Sequence, residues 1–114
     1  MHLEELIRIT DKPLIVVDSA GVVTHINDRF TAAFGWRAED LTGGGLNRII
    51  PEKMRQAHQI AFSTYVETGN TNILDTPLNL AILHADGTIG DAEHVIFAGM
   101  IDGEPHLAAT VDPL

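Results

Sequence analysis

Cysteine is missing from all 114 residues, which excludes disulfides, thiolate metal sites and cysteine nucleophiles. With no disulfide framework to maintain, the chain is expected inside the cell. Basic residues are scarce: 7 Lys+Arg stand against 16 Asp+Glu, a formal net charge of -9, and such a balance repels a phosphate backbone. The acidic residues are scattered and not gathered in one run, so they read as a solvated surface. No window approaches the apolar length that crosses a bilayer, and the opening MHLEELIRIT lacks the basic-then-apolar layout of a signal peptide. A cytoplasmic, soluble protein with no nucleic-acid partner and no membrane insertion is expected. Repeats, low-complexity tracts and linkers are absent too, so a chain of this size reads as one core.

Catalytic signatures are also lacking. Ser19, His25 and Asp18 lie close together, but on a predicted hairpin; there is no Gly-x-Ser-x-Gly elbow and no carboxylate pair of defined spacing. No enzyme is expected. The run Gly43-Gly44-Gly45 is not followed by the Lys-Ser/Thr of a phosphate loop, and flexibility is its expected property. Asp91, Glu93, His94 and His106 offer metal-type donors, yet strand alternation separates neighbours onto opposite faces and no spacing fixes a third ligand. Solvated side chains are the expectation there.

What is present is a pattern of short strands around helices. His2 to Thr10 is amphipathic, with Leu3, Leu6 and Ile7 spaced for one helical face, so residues 1–12 are expected to form a flanking helix ahead of a domain at 13–114. Leu14-Ile15-Val16-Val17, the turn residues Asp18-Ser19-Ala20-Gly21 and Val22 to Ile26 predict a hairpin. Asn27 is placed to cap a short helix carrying Phe30, Ala33 and Phe34, with Gly35 as its stop. Trp36 to Leu41 predicts another turn or two, and Trp36 is expected to pack a helix end. Pro51 suits the start of the longest predicted helix, Lys53 to Thr68, closed by Gly69. Three extended segments, Thr76 to Ala85, Thr88 to Ala98 and Pro105 to Val111, are separated by Asp86-Gly87 and by the Gly99 to Glu104 stretch, and predict a meander.

This order, with Leu14-Ile15-Val16-Val17-Asp18-x-x-Gly21, Ile26-Asn27-x-x-Phe30-x-x-x-Phe34-Gly35, Ala85-Asp86-Gly87, Gly103-Glu104-Pro105 and Ala109-Thr110-Val111-Asp112, resembles the PAS family over nearly the whole chain. The resemblance implies an α+β fold: a five-stranded antiparallel sheet in the order 2-1-5-4-3, with short helices and one long helix over one face, and a pocket between them. It also implies a sensory role, in which a pocket event is passed through flanking helices to an effector such as a histidine kinase, as in two-component systems. No effector of that kind is read in these residues.

The long predicted helix carries one stripe of chemical interest. At 100° per residue, Met54, Ala57, His58, Ala61, Phe62 and Tyr65 share a side, and an imidazole among apolar neighbours needs a hydrogen-bond partner or a metal. Arg55-Gln56-Ala57-His58 is similar to the Arg-x-x-His of haem PAS domains in oxygen-sensing kinases, where the histidine is the proximal ligand. That resemblance makes haem b a candidate cofactor and His58 its metal ligand, with space beside Ala57 and Ala61 and apolar walls from Ile73, Leu74, Leu78, Val95 and Phe97. The arginines that hold oxygen in those kinases fall at Thr64 and Leu78, so the distal side is expected to be apolar and to favour carbon monoxide or nitric oxide over oxygen. Set beside this is a partnered, non-ligating histidine at position 58.

Flavin is a weaker cofactor candidate, since the light-sensing cysteine motif is absent and Trp36 and Asn27 alone do not specify an isoalloxazine. A competing reading needs no small-molecule ligand: a homodimerisation module that pairs through Leu3, Leu6 and Ile7 and through the uncovered sheet face, where Ile96 is expected.

Overall fold

The computed structural model describes Glu5, Arg8 and residues 11–60 and 77–114. Five strands form one antiparallel sheet in the order β2-β1-β5-β4-β3. They are β1 (Leu14–Asp18), β2 (Val23–Ile26), β3 (Leu78–Leu83), β4 (Ile89–Ile101) and β5 (Glu104–Pro113). Between β2 and β3 come α1 (Asp28–Phe34), α2 (Ala38–Leu41), two 3-10 turns at Leu46–Ile49 and Glu52–Met54, and a helical segment at residues 55–60. This is the expected architecture. The expected segments 1–10, Glu5 and Arg8 apart, and 61–76 lie outside the described residues.

Local chemistry explains the joints. Asp18 closes the first turn by accepting from the N–H groups of Ala20 (2.9 Å) and Val22 (3.0 Å) through Oδ1, an Asx-type arrangement. Asn27 Oδ1 accepts from Phe30 N (2.9 Å), capping α1, and from Leu14 N (3.0 Å), while its Nδ2 donates to Lys12 O (2.7 Å). One side chain therefore ties the start of β1 to the start of a helix. Gly35 ends α1 in the left-handed conformation (φ 84) and donates to Thr31 O at 2.8 Å, as a helix C-terminus of this type requires.

The β4–β5 connection is tighter than the expected Gly99 to Glu104 break. Pairing continues to Ile101↔Glu104, leaving only Asp102 and Gly103 in the loop, and both have positive φ (50 and 77). That is the type I′ geometry whose twist suits a hairpin. The glycine run, expected to be flexible, is instead paired along β2: Val23 N donates to Gly44 O (2.9 Å), Gly43 N to Val23 O (2.8 Å) and Leu46 N to Gly21 O (2.9 Å). Backbone without side chains lies flat against a sheet edge and occupies its free hydrogen-bonding groups.

The register assigns every strand residue a face, because residues directly opposite across an antiparallel pair share one. Ile26, Ile15, Ala109 and Ile96 form one row across four strands, and Val111, His94 and Leu78 form another. These rows lie on the inner face, where Ile15, Val17, Ile82, Ala92 and Val111 pack with Phe30, Phe34, Leu41 and Ile49 from the helical segments. The outer face carries Leu14, Val16 and Ala108, with Phe97 and Ile101 packed against them.

Candidate functional site

The residues expected to build the site separate into three groups. Ala61, Phe62, Tyr65, Ile73, Leu74 and the distal-side Thr64 lie outside the described residues. Leu78 stands on the inner face opposite His94 and is half-buried. Val95 and Phe97 do not share that face. Val95 pairs with Thr110, itself opposite Leu14, and Phe97 pairs with Ala108, itself opposite Val16. Both therefore stand on the outer face, and Ile96, expected outside, stands inside between Ala109 and the helices' side of the sheet. The expected alternation was one residue out of phase along β4.

On the helical side, Met54 closes the 3-10 turn Glu52–Met54 and is 47% exposed. Ala57 is exposed as well, whereas Arg55 and His58 are half-buried. The protein-facing side of this segment thus runs through positions 55 and 58, three apart, and not through Met54 and Ala57. Arg55 Nε donates to Ile50 O at 3.0 Å, which anchors the segment to the residue just before Pro51. Burial strips water from the His58 imidazolium and holds its pKa below the ordinary 6.5, so the neutral, lone-pair-bearing form prevails at neutral pH. That form is the one able to ligate a metal.

His94 is the functional candidate that sequence reasoning set aside. It lies in the Val111–His94–Leu78 row of the inner face, and burial pushes its pKa below 6.5, partly opposed by a bond to the Ala92 carbonyl. The distance from Nδ1 to Ala92 O is 3.0 Å. A carbonyl only accepts, so Nδ1 carries the proton and Nε2 keeps a lone pair. The signal available in the sequence was the apolar residue two places before it and two places after, Ala92 and Ile96, once the strand's phase is known.

Other donors do not converge. The pairing places Asp91, Glu93 and His106 on the outer face and His94 on the inner, and among the described residues no group of three His, Asp or Glu stands close enough to hold a metal. Trp36 Nε1 donates to Leu83 O at 2.8 Å, joining the end of α1 to the end of β3 as a structural contact. A shallow hollow beside it is lined by Ala33, Phe34, Gly35, His84, Ala85 and Asp86; the His84 ring meets Phe34 edge-on at 5.4 Å. Asp86 is held below its usual range by accepting from the Thr88 hydroxyl and N–H, which orders the tight turn beside Gly87. No helix among the described residues is long and apolar enough to cross a membrane.

Comparison with known proteins agrees with the topology. The sensor protein FixL of Bradyrhizobium diazoefficiens is 25% identical over 113 residues, covering 99% of this chain and 22% of that protein. An uncharacterised protein of Azorhizobium caulinodans is 31% identical over 81 residues, covering 70% of this chain and 11% of its own length. The chain thus spans a minor part of either relative. Among solved structures, the PAS domain of a Desulfitobacterium hafniense protein superposes with a TM-score of 0.74 at 20% identity, covering 97% of this chain and 99% of that one. Residues 1–88 match the family model described as PAS fold, and with the strand order and inner-face core above, the chain belongs to the PAS family of sensory domains.

Proposed function

We propose that this chain is a ligand-sensing PAS domain, its body at residues 13–114, working in the cytoplasm. Its core takes a small apolar molecule or haem and relays occupancy to a signalling effector such as a kinase. The observation that carries this reading is His58, a half-buried imidazole held neutral by desolvation on the same side of its helical segment as the half-buried Arg55. The relation to a sensor protein over nearly the whole chain supports a sensory role.

Haem b fits the donor chemistry at His58 and would supply an iron that binds diatomic gases. Leu78 and Ile96 suit its apolar walls, whereas Val95 and Phe97 face away from it. Flavin finds less support: the Trp36 ring N–H is engaged with Leu83, and the Asn27 amide with Lys12, Leu14 and Phe30. The test is an absorption titration with hemin beside a His58→Ala variant. A Soret band saturating at about one haem per chain and lost in the variant supports haem sensing; a band indifferent to the substitution removes His58 as ligand.

A second reading, a homodimerisation module, draws on the outer face of the sheet, where Phe97 and Ile101 are only partly buried. Sedimentation of the intact chain beside one lacking residues 1–12 decides it, since dimers that become monomers on truncation are its signature.

A further inference from the structure

The inner face of β3, β4 and β5 carries no formal charge. Reading the rows, it presents Leu78, Leu80 and Ile82 from β3, Ala92, His94, Ile96 and Ala98 from β4, and Leu107, Ala109 and Val111 from β5, while Asp91, Glu93 and Asp112 fall on the other side. One side chain in this field is polar. Its Nδ1–H is spent on the carbonyl of Ala92, two residues back on the same strand, at 3.0 Å. That bond fixes both tautomer and ring orientation, in the way a ligating or accepting histidine is commonly set by the bond at its other nitrogen. Among the described residues no group donates to Nε2.

We infer that His94 is the polar anchor of the core site, its Nε2 accepting a hydrogen bond from a neutral, mainly apolar ligand that carries one hydroxyl or N–H donor. The inference rests on the reading that the core takes a ligand, and adds which chemistry is selected. Anions are disfavoured because the facing nitrogen offers a lone pair and the surrounding face offers no cation; the depressed pKa of the ring is consistent with that. Purely apolar molecules of the same shape enter but leave Nε2 without its partner, which costs them affinity relative to a donor. Selection of this kind is typical of pockets in which a few polar groups fix orientation within apolar walls.

Phenol and toluene are matched probes, nearly equal in shape and differing in the donor. Both are titrated by NMR into the wild type, His94→Leu and His94→Gln, the last keeping an acceptor near the Nε2 position. The phenol-to-toluene affinity ratio is expected to fall roughly five- to tenfold in His94→Leu and to stay near the wild-type value in His94→Gln. If both probes bind and the ratio is the same in His94→Leu, the anchor is wrong while the ligand-binding core stands. If neither probe binds the wild type, the core reading fails and takes the anchor with it. Long-range 1H–15N correlations on the wild type give a reading independent of any variant's folding: His94 must be in the Nδ1–H form, with Nε2 shifting on phenol addition, and an Nε2–H tautomer overturns the inference.

Discussion

Removing the Asn27 side chain should be among the most damaging single changes outside the apolar core. In Asn27→Ala, α1 loses its N-cap, a change that costs about 1 kcal/mol in typical helices. Leu14 N, on a residue with no exposed surface, loses its only side-chain acceptor at the same time, and a buried donor left unpaired costs about 1 to 3 kcal/mol more. The sum is about 2 to 4 kcal/mol, since the two terms concern different donors. Asn27→Asp keeps both accepting contacts and gives up the amide donor, including the 2.7 Å bond from Nδ2 to Lys12 O, so it should cost less than the alanine change, about 1 kcal/mol. Urea unfolding of the three proteins measures this directly, and thermal scans should follow at roughly 4 °C per kcal/mol for a domain of this size. An Ala variant within about 0.5 kcal/mol of wild type, or an Asp variant as damaged as the Ala variant, would refute the reasoning.

Gly35→Ala combines a left-handed φ of 84 with a new Cβ only 3.2 Å from Ala85 Cβ, and should lose about 1 to 3 kcal/mol in the same urea assay. Gly103→Ala, with positive φ (77) but no atom within 4 Å of the added Cβ, should lose about 1 kcal/mol, the conformational part alone. Stability should also depend on pH through His58 and His94. Both have folded pKa values below the ordinary 6.5, so as pH falls through 6.5 the unfolded chain takes up protons that the folded one refuses. Their contribution is therefore complete above about 6.5 and declines from there until the folded-state pKa is passed, with at most about 1.4 kcal/mol per pH unit per histidine, reduced because neither ring is fully dry. Urea midpoints at pH 7.5 and 5.5 should fall in that order, the drop being smaller in His58→Gln and His94→Gln; a midpoint that rises on acidification contradicts the placement of both rings.

How far the sequence is legible depends on how many faces a segment buries. At the first hairpin, Asp18, Asn27 and Gly35 each do something only that residue type does well, and position and role both followed from identity. β4 is different. Ala92, His94, Ile96 and Ala98 stand inside while Val95 and Phe97 stand outside, so apolar residues occupy both faces and the period of two that sets a strand's phase is erased. That one-residue ambiguity moved Val95 and Phe97 into the expected pocket, put Ile96 outside and hid His94. Composition alone marks the Gly43–Gly45 run as flexible, and composition carries no information about a long-range partner such as β2. At the helix, Arg55 and His58 face the protein while Met54 and Ala57 are exposed, and apolar spacing alone does not mark which stripe of the segment packs.

The strand order has a consequence for how the chain is made. β1 and β2 reach β4 and β3 only through β5, the last of the sheet's five strands in chain order, whose Thr110 pairs with Leu14 in the first. Until β5 leaves the ribosome, the apolar edge of β1 has no neighbour, and the two halves of the sheet exist as unconnected hairpins or none. Closure of so long a loop is slow compared with formation of the β4–β5 hairpin, so that hairpin is positioned to dock as a preformed unit in the final step. The first hairpin thus waits with one edge of β1 unpaired until β5 has been made, the period in which chaperones and proteases would find it most readily.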